Sequence, residues 1–380
     1  MDQSTQYRSS AKAIFPTVNS DMGPVAASHS MSPPAKPIFF PKVSLVIPCR
    51  NEQAHITKCL DSIFANDYPQ DRMEILVVDG ASTDRTREIL EEYRRRWPQI
   101  RLVENPGKLI PIAMNIGLRQ ARGEVILKID AHSTYPRSYI AKCVESLTQY
   151  QADNAGGIWR ILPAGDTATA KAIALALAHR FASGNAYVKV GAKEARWADS
   201  AAFGCWKKEV LEKIGGWNEK LAGSSDMDLN ARLKDEGGRI LLLPDIQINY
   251  YADSNFRSYW KHNFADGVWA TYVLKFGSKA WAWRHWAPMG FLLSLLASGV
   301  LAFRLPLFGV IFGSILGCYL LVNLASSIQI SARERSVQCL PLLPLAFGIR
   351  HFAHGLGALY GALLLAVPGE HWKGRRGAKS

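Results

Sequence analysis

Three carboxylates stand just beyond apolar runs: Glu52 after "VSLVIPCRN", Asp79 after "EILVV" and Asp130 after "VILKI". In an open parallel sheet the ligand lies outside the carboxyl ends of the strands, so the three would face one crevice. Asp130 is followed at one residue's remove by His132. A carboxylate and an imidazole so spaced can ligate a divalent ion, with manganese accepting the imidazole better than magnesium does; the other reading of Asp130 is a cap on the turn. A second acidic pair, Asp226 and Asp228 in "SSDMDLNARL", precedes an amphipathic stretch. One member can accept a proton from an attacking hydroxyl, or both can cap the start of a helix. Asp84, in "STD" after Asp79, offers the same choice between a binding group and a helix start.

Positioning such groups demands strands whose ends line up. From Lys42 short apolar runs ("VSLVIP", "EILVVD", "IRLVE", "VILKID") alternate with helical patterns ("AHITKCLDSIF", "TREILEEYRRRW", "PIAMNIGLRQA"). That alternation predicts an α/β layer fold with a mostly parallel sheet covered on both faces. Further on, "NAGGIW" reads as a strand, "ATAKAIALALAHRFASG" as a helix, and "VLEKIGGW" as a helix stopped by Gly215 and Gly216. Residues 42–250 read as one domain after a Ser-, Pro- and Ala-rich tail, residues 1–41, which lacks the apolar core of a signal peptide.

A different solvent is implied after Tyr251. Residues 251–286 interleave aromatics with Lys and Arg, the composition of an amphipathic helix at a bilayer surface. Residues 287–367 hold the long apolar runs Pro288–Phe303 and Leu305–Ile328, which predict two membrane helices around a turn at Arg304–Pro306. Gly309, Gly313 and Gly317 form a small-residue stripe that would admit another helix. "SARERS" would lie on the cytoplasmic side with the first domain. The apolar stretch Cys339–Val367 contains Arg350, His351 and His354, so a third span, a re-entrant helix and a surface helix all stay open before the basic tail 368–380.

Several chemistries lack their equipment. The sequence has no GxGxxG after the first strand, no GxxxxGK[ST], no HExxH and no GxSxG. The formal charge of +13 is spread without a zinc-finger spacing or an RNP-like motif, which favours an anionic membrane surface over nucleic acid. Six cysteines occur without a CxxC pair, consistent with a reducing cytoplasm.

As an ordered set, "VSLVIPCRNE", "VVDGASTDRT", "ENPGKLIPIAMNIGL", "ARGEVILKIDAH" and "FGCWKKEVLEKIGGWNEKLAGSSDMDLNARLKDEGGRI" resemble the family 2 inverting glycosyltransferases of the GT-A fold. The resemblance covers residues 42–250 and comes nearest to exopolysaccharide glucosyltransferases of the succinoglycan type. It implies a nucleotide-sugar site built from Pro48, Asn51, Glu52, Asp79, Asp84, Lys108 and Asp130, with Asp79 reading a uracil imide and Lys108 reaching a phosphate. A divalent metal, Mn2+ or Mg2+, would be held by Asp130 and His132. Asp226 aligns with the family's general base, and Trp206, Asp228 and His262 would lie on the acceptor side, His262 beside Trp260 and Lys261. Two departures are plain: His132 stands where the family has Asp, and Ser225 replaces the Glu before the base. The Gln-x-x-Arg-Trp motif of processive members is absent. The expectation is therefore a membrane-anchored, non-processive transferase. It would move a hexose, glucose from its UDP form, to a lipid-linked or polysaccharide acceptor, without nucleic acid. The rival readings are a catalytically degenerate membrane scaffold and a nucleotidyltransferase.

Overall fold

A computed structural model describes residues 40–279 and 283–368. The tail expected over residues 1–41, apart from Phe40 and Pro41, lies outside the described residues, as does the basic tail beyond Pro368. Phe40 and Pro41 pack on the domain: the Phe40 ring meets Tyr68 edge-on at 5.2 Å, and the Tyr68 hydroxyl donates to the Pro41 carbonyl at 2.6 Å.

The chain alternates β1 (Val43–Cys49), α1 (Ile56–Phe64), β2 (Met73–Asp79), α2 (Thr86–Arg96), β3 (Ile100–Glu104), α3 (Ile110–Gln120), β4 (Val125–Lys128), α4 (Tyr139–Gln149) and β5 (Asn154–Leu162). Three helical pieces follow, α5 (Ala168–Ala178), α6 (Arg180–Ser183) and α7 (Tyr187–Val190). Then come β6 (Arg196–Ala198), β7 (Ala202–Lys207), α8 (Lys208–Lys213), α9 (Ser225–Asp235) and β8 (Ile240–Tyr251). The remaining helices are α10 (Phe256–Tyr272), α11 (Trp283–Ala302), α12 (Pro306–Arg333) and α13 (Leu343–Leu365).

One eight-stranded sheet runs in the order β3-β2-β1-β4-β7-β5-β8-β6. The first four strands are parallel, β7 runs against both β4 and β5, and β6 runs against β8. The expected mostly parallel α/β sheet is thus found, and β1, β2, β4, β5 and β8 all end at one edge. Burial of both sheet faces explains the apolar runs. Leu45, Ile47, Ile75, Val77 and Leu127 meet α1 and α4 on one face; Val46, Leu76, Val78 and Ile126 meet α3 on the other. In α1 the buried residues Ile56, Cys59, Leu60 and Ile63 fall at helical spacing. Gly117 lets α3 lie directly on β1, since a Cβ there would come within 2.3 Å of Val46.

One buried carboxylate fastens the opposite sheet edge. Glu74, on β2, accepts from Ser44 Oγ at 2.6 Å, Arg101 Nη1 at 3.2 Å and Gly123 N at 3.2 Å, and from Arg122 N. Burial alone would raise its pKa, but these donors outweigh it and hold Glu74 below the ordinary carboxylate value.

The C-terminal helices join the sheet domain through α10 and α13, which lie side by side and parallel. Their backbones approach closely: a Cβ at Gly267 would meet the His354 carbonyl at 2.1 Å, one at Gly357 the Phe264 carbonyl at 2.1 Å, and one at Gly361 the Val268 carbonyl at 2.5 Å. The small-residue contact therefore falls here and not on Gly309, Gly313 and Gly317. Gly313 and Gly317 have nothing within 4 Å, and Gly309 has only Ala302 at 3.9 Å. α11 and α12 form an antiparallel hairpin, with Gly299 facing Phe312 and Phe291 stacked on Tyr319. Both are long and apolar enough to cross a membrane. α10, read from sequence as lying on a surface, instead buries Tyr259, Asn263 and Gly267–Tyr272 beneath its neighbours. The polar residues of α13 are used inside the molecule. Arg350 donates to Asn263, and His351 lies 2.9 Å from the Phe181 carbonyl and 3.1 Å from the Tyr319 hydroxyl.

Candidate active site

Each parallel strand ends in a loop at the common edge, and these loops bind one another. Asn51, at a positive φ of 55°, receives Thr83 N on its side-chain oxygen at 2.8 Å, while its own N–H donates to Ser82 Oγ at 2.9 Å. Glu52 N donates to Thr86 Oγ1 at 2.7 Å. The loops after β1 and β2 are thus stapled at Asn51 and Glu52. Asp84 completes the staple: it accepts from Gln53 N at 3.2 Å and from Thr86 N, the first residue of α2, at 3.0 Å. Burial opposes ionisation of Asp84, but these bonds prevail and lower its pKa. Its carboxylate is spent on loop and helix start, the second of the two readings open in the sequence.

Asp79 is buried at the end of β2, opposite Cys49 in register, and accepts from Ser82 N at 3.2 Å with Arg87 Nε 3.6 Å away. Pro48 sits one residue earlier in β1, paired with Val78. Lys108 is exposed beyond β3 at a positive φ of 59°.

Asp130 and His132 do come together, with Glu52 as a third member. His132 Nδ1 lies 2.9 Å from Asp130 Oδ1 and 3.3 Å from Glu52 Oε1. Burial alone would lower the imidazole pKa, but the two carboxylates push it up to about 10. Asp130, burial notwithstanding, is held below its ordinary value by the same contact. Two carboxylates and an imidazole at a sheet edge are donors of a kind that manganese accepts. Among the described residues no three His, Cys, Asp or Glu side chains surround a shared ion position; the His132 ring itself stands between the carboxylates.

Lys128, the last residue of β4, lies on the sheet face of Ile126 and α3, opposite Leu127, as strand alternation requires. Its largely buried ammonium pairs with Asp226 Oδ2 at the start of α9, and Trp217 Nε1 donates to Asp226 Oδ1 at 3.0 Å. The Asp226 side chain remains 49% exposed, so the held carboxylate is still open to a reactant. Trp217 is positioned in turn by Asn115 on α3, whose side chain accepts from Trp217 N and donates to the Trp217 carbonyl, both at 2.8 Å. Gly216 makes room, since a Cβ there would come within 2.5 Å of Asn115 Oδ1.

Three residues expected on the acceptor side have different surroundings. Asp228 is buried and paired with Arg232 at 2.9 Å, one helical turn on; Arg232 also donates to the Gly216 carbonyl at 2.7 Å. Asp228 therefore braces the loop that carries Trp217 and does not face the site opening. Trp206 is a core residue of β7, 2% exposed, with its ring edge-on to Trp217 at 5.5 Å. His262 is half-buried on α10, 3.1 Å from Asp253 Oδ2 and 3.8 Å from Asp266 Oδ1. Asp266 and then Asp253 raise its pKa. Lys128 and Trp217 were not among the residues expected from sequence. Lys128 was detectable as a lysine inside the apolar run "VILKID", where an ammonium needs a carboxylate.

With this geometry in place, comparison with known proteins gives concordant results. The Glycosyl transferase family 2 profile matches residues 44–206. The chain is 25% identical over 315 residues to a Methanococcus voltae protein, covering 80% of this chain and 93% of that one. That relative is the dolichyl N-acetyl-alpha-D-glucosaminyl phosphate 3-beta-D-2,3-diacetamido-2,3-dideoxy-beta-D-glucuronosyltransferase. This chain is also 28% identical over 209 residues to the succinoglycan biosynthesis protein ExoA of Rhizobium meliloti, spanning 54% of this chain and 62% of that relative. The mannosyltransferase PcManGT of Pyrobaculum calidifontis, solved with GDP-Man and Mn2+, shares the fold at a TM-score of 0.56 and 21% identity, with 90% of each chain covered. The matched residues hold nearly all of β1, β2 to β4 and every donor-side carboxylate described above: residues 44–206 form a Glycosyl transferase family 2 domain, in a chain whose fold is that of the GT-A glycosyltransferases.

Proposed function

We propose that the chain transfers a hexose, glucose from UDP-glucose, to a lipid-linked or growing polysaccharide acceptor at a membrane, one sugar per encounter and with inversion. The observation that carries this reading is the pairing of Asp226 with Lys128 and Trp217, on a strand whose next polar residue is Asp130. The acceptor hydroxyl oxygen attacks the anomeric carbon as the bond from that carbon to the diphosphate breaks. Asp226 accepts the hydroxyl proton, and the diphosphate departs with the bonding pair. A single displacement leaves no role for an enzyme nucleophile, hence inversion. A divalent ion held by Asp130, with Glu52 and His132 beside it, would supply neutralising charge to the diphosphate.

Membrane attachment rests on α11 and α12, of 20 and 28 residues, which are apolar along their length and leave most of their apolar surface unburied. Arg333, the last residue of α12, and Arg335 just beyond it support a cytoplasmic catalytic domain by the positive-inside tendency. The names of the two sequence relatives, one acting on a dolichyl phosphate-linked sugar and one serving succinoglycan synthesis, support the acceptor class.

The test is nucleoside diphosphate release from a panel of UDP- and GDP-sugars with Mn2+ in native membranes supplemented with lipid extract. Wild type should turn over UDP-glucose; Asp226→Asn should lower kcat by about a hundredfold or more, and Asp130→Ala should abolish turnover. Preference for another donor would reject glucose, and an active Asp226→Asn would reject the base.

A further inference from the structure

The sheet edge that carries Asp130 continues into a second polar cluster that the transfer chemistry leaves unused. β5 and β8 run parallel to β4, and Asn249 Nδ2 donates to Thr134 Oγ1 at 3.4 Å, tying β8 to the loop after Asp130. Beyond this tie, Trp159 of β5 stacks on Tyr250 of β8 with ring centroids 4.5 Å apart. The Lys189 ammonium, from α7, lies 5.6 Å from the centre of the Trp159 ring.

Three neighbouring cations face carboxylates. Arg350 reaches Asp266 at 3.5 Å as well as Asn263, His262 lies between Asp253 and Asp266, and Arg284 pairs with Asp199 at 2.5 Å. The Lys189 backbone N–H donates to the Ala186 carbonyl, but its ammonium has no hydrogen-bond or ion-pair partner among the described residues. Burial first, then Arg350 and Arg284, lower its pKa to about 8 against the pull of Asp266; it is mostly charged at neutral pH. Attraction to an aromatic face is a weak substitute for a counter-ion when an ammonium is partly desolvated. Trp159 Nε1 is likewise buried without a partner. An ammonium and an indole N–H left over in one wall are donors awaiting an acceptor.

The position narrows its chemistry. α6 and α7 continue from the segment that holds both feet of the α11–α12 hairpin, through Arg284 to Asn185 at 3.4 Å and through His179 to Gln329 at 3.4 Å. The cluster thus lies between the reacting edge and the two helices read as membrane spans. We propose that Lys189, over Trp159, forms a subsite for the phosphate ester that joins the acceptor sugar to its lipid. This rests on the reading of Asp226 as the base of sugar transfer, since it places the phosphate on the acceptor side of that group. A phospholipid headgroup of the bilayer has the same chemistry and is separated from it by the test.

The full chain is placed in neutral phosphatidylcholine nanodiscs and titrated with farnesyl phosphate, with farnesol as competitor. Wild type should bind farnesyl phosphate and farnesol should fail to displace it. Lys189→Met should weaken binding by at least about tenfold, or about 1.4 kcal/mol, while Lys189→Arg should stay within about threefold of wild type. Equal binding by Lys189→Met, loss in Lys189→Arg as large as in Lys189→Met, or displacement by farnesol would overturn the subsite. Substituting phosphatidylglycerol for part of the phosphatidylcholine should leave wild-type affinity unchanged; competition that depends on Lys189 would reassign the site to bilayer headgroups. Donor turnover measured in the same discs reports on Asp226 separately, so the two readings fail independently.

Discussion

Asp226 is held by two donors of different kinds, a lysine ammonium and an indole N–H, and faces solvent with what remains. The ammonium matches the negative charge, and the rigid indole sets its direction. Trp217→Phe keeps a ring against Trp206 and deletes only the N–H. A hydrogen bond to a charged group contributes about 1.5–3 kcal/mol, so kcat should fall roughly tenfold to a hundredfold with donor KM little changed. A steady-state comparison in which KM rises and kcat holds would show that Trp217 serves binding and not the base. This scale was legible in part. Asp79 and Asp130 draw attention in the sequence because a carboxylate after an apolar run needs a reason, and the structure sets His132 beside Asp130 and Lys128 beside Asp226. A second acid beside a candidate base resembles a partner for it, whereas the contact Asp228 makes is to Arg232, four residues on, as half of a helical ion pair. Trp206 and Trp217 look alike in sequence and both are buried in the core; only the packing of β7 against the 214–219 loop turns the Trp217 N–H, and not that of Trp206, onto Asp226.

At the scale of elements, the sheet and its first helices were readable because a wholly buried strand and an amphipathic helix have different apolar periods. Glu74 is the exception inside β2, a charge in an apolar run, and it binds β1, β3 and the turn before β4. Because its pKa is lowered on folding, its stabilising contribution is present above the unfolded carboxyl value and is lost as pH falls through the folded value. Glu74→Gln should therefore cost about 1.5–3 kcal/mol at neutral pH, and the deficit against wild type should shrink in acid. Thermal unfolding in detergent across that range checks it; a deficit independent of pH would mean that Glu74 acts through packing and not charge. The small-residue contact was misplaced because glycine spacing states that close approach is permitted, not which helix uses it. Gly267, Gly357 and Gly361 use it, and they belong to helices separated by the whole hairpin.

For the whole molecule, the division between a charged domain and an apolar end was visible in composition, whereas the burial of α10 under α13 was not, since aromatics interleaved with Lys and Arg suit a bilayer surface and a helix interface alike. Of the six cysteines, five are buried and Cys318, on α12, is exposed. If α12 spans a bilayer, a charged maleimide should leave Cys318 unlabelled in intact membranes and label it once the chain is unfolded in dodecyl sulfate. Rapid single-site labelling before unfolding would remove α12 from the membrane. The hairpin feet have a consequence of their own. Arg284 ties the start of α11 to Asp199 and Asn185, and His179 contacts Gln329 near the end of α12, so the catalytic domain is bolted at two points and cannot swing like a head on a string. On the membrane reading the enzyme then works at one fixed height above the bilayer. Such an enzyme is a length gauge: it glycosylates chains whose terminal sugar stands at that height and passes over those that are shorter or longer.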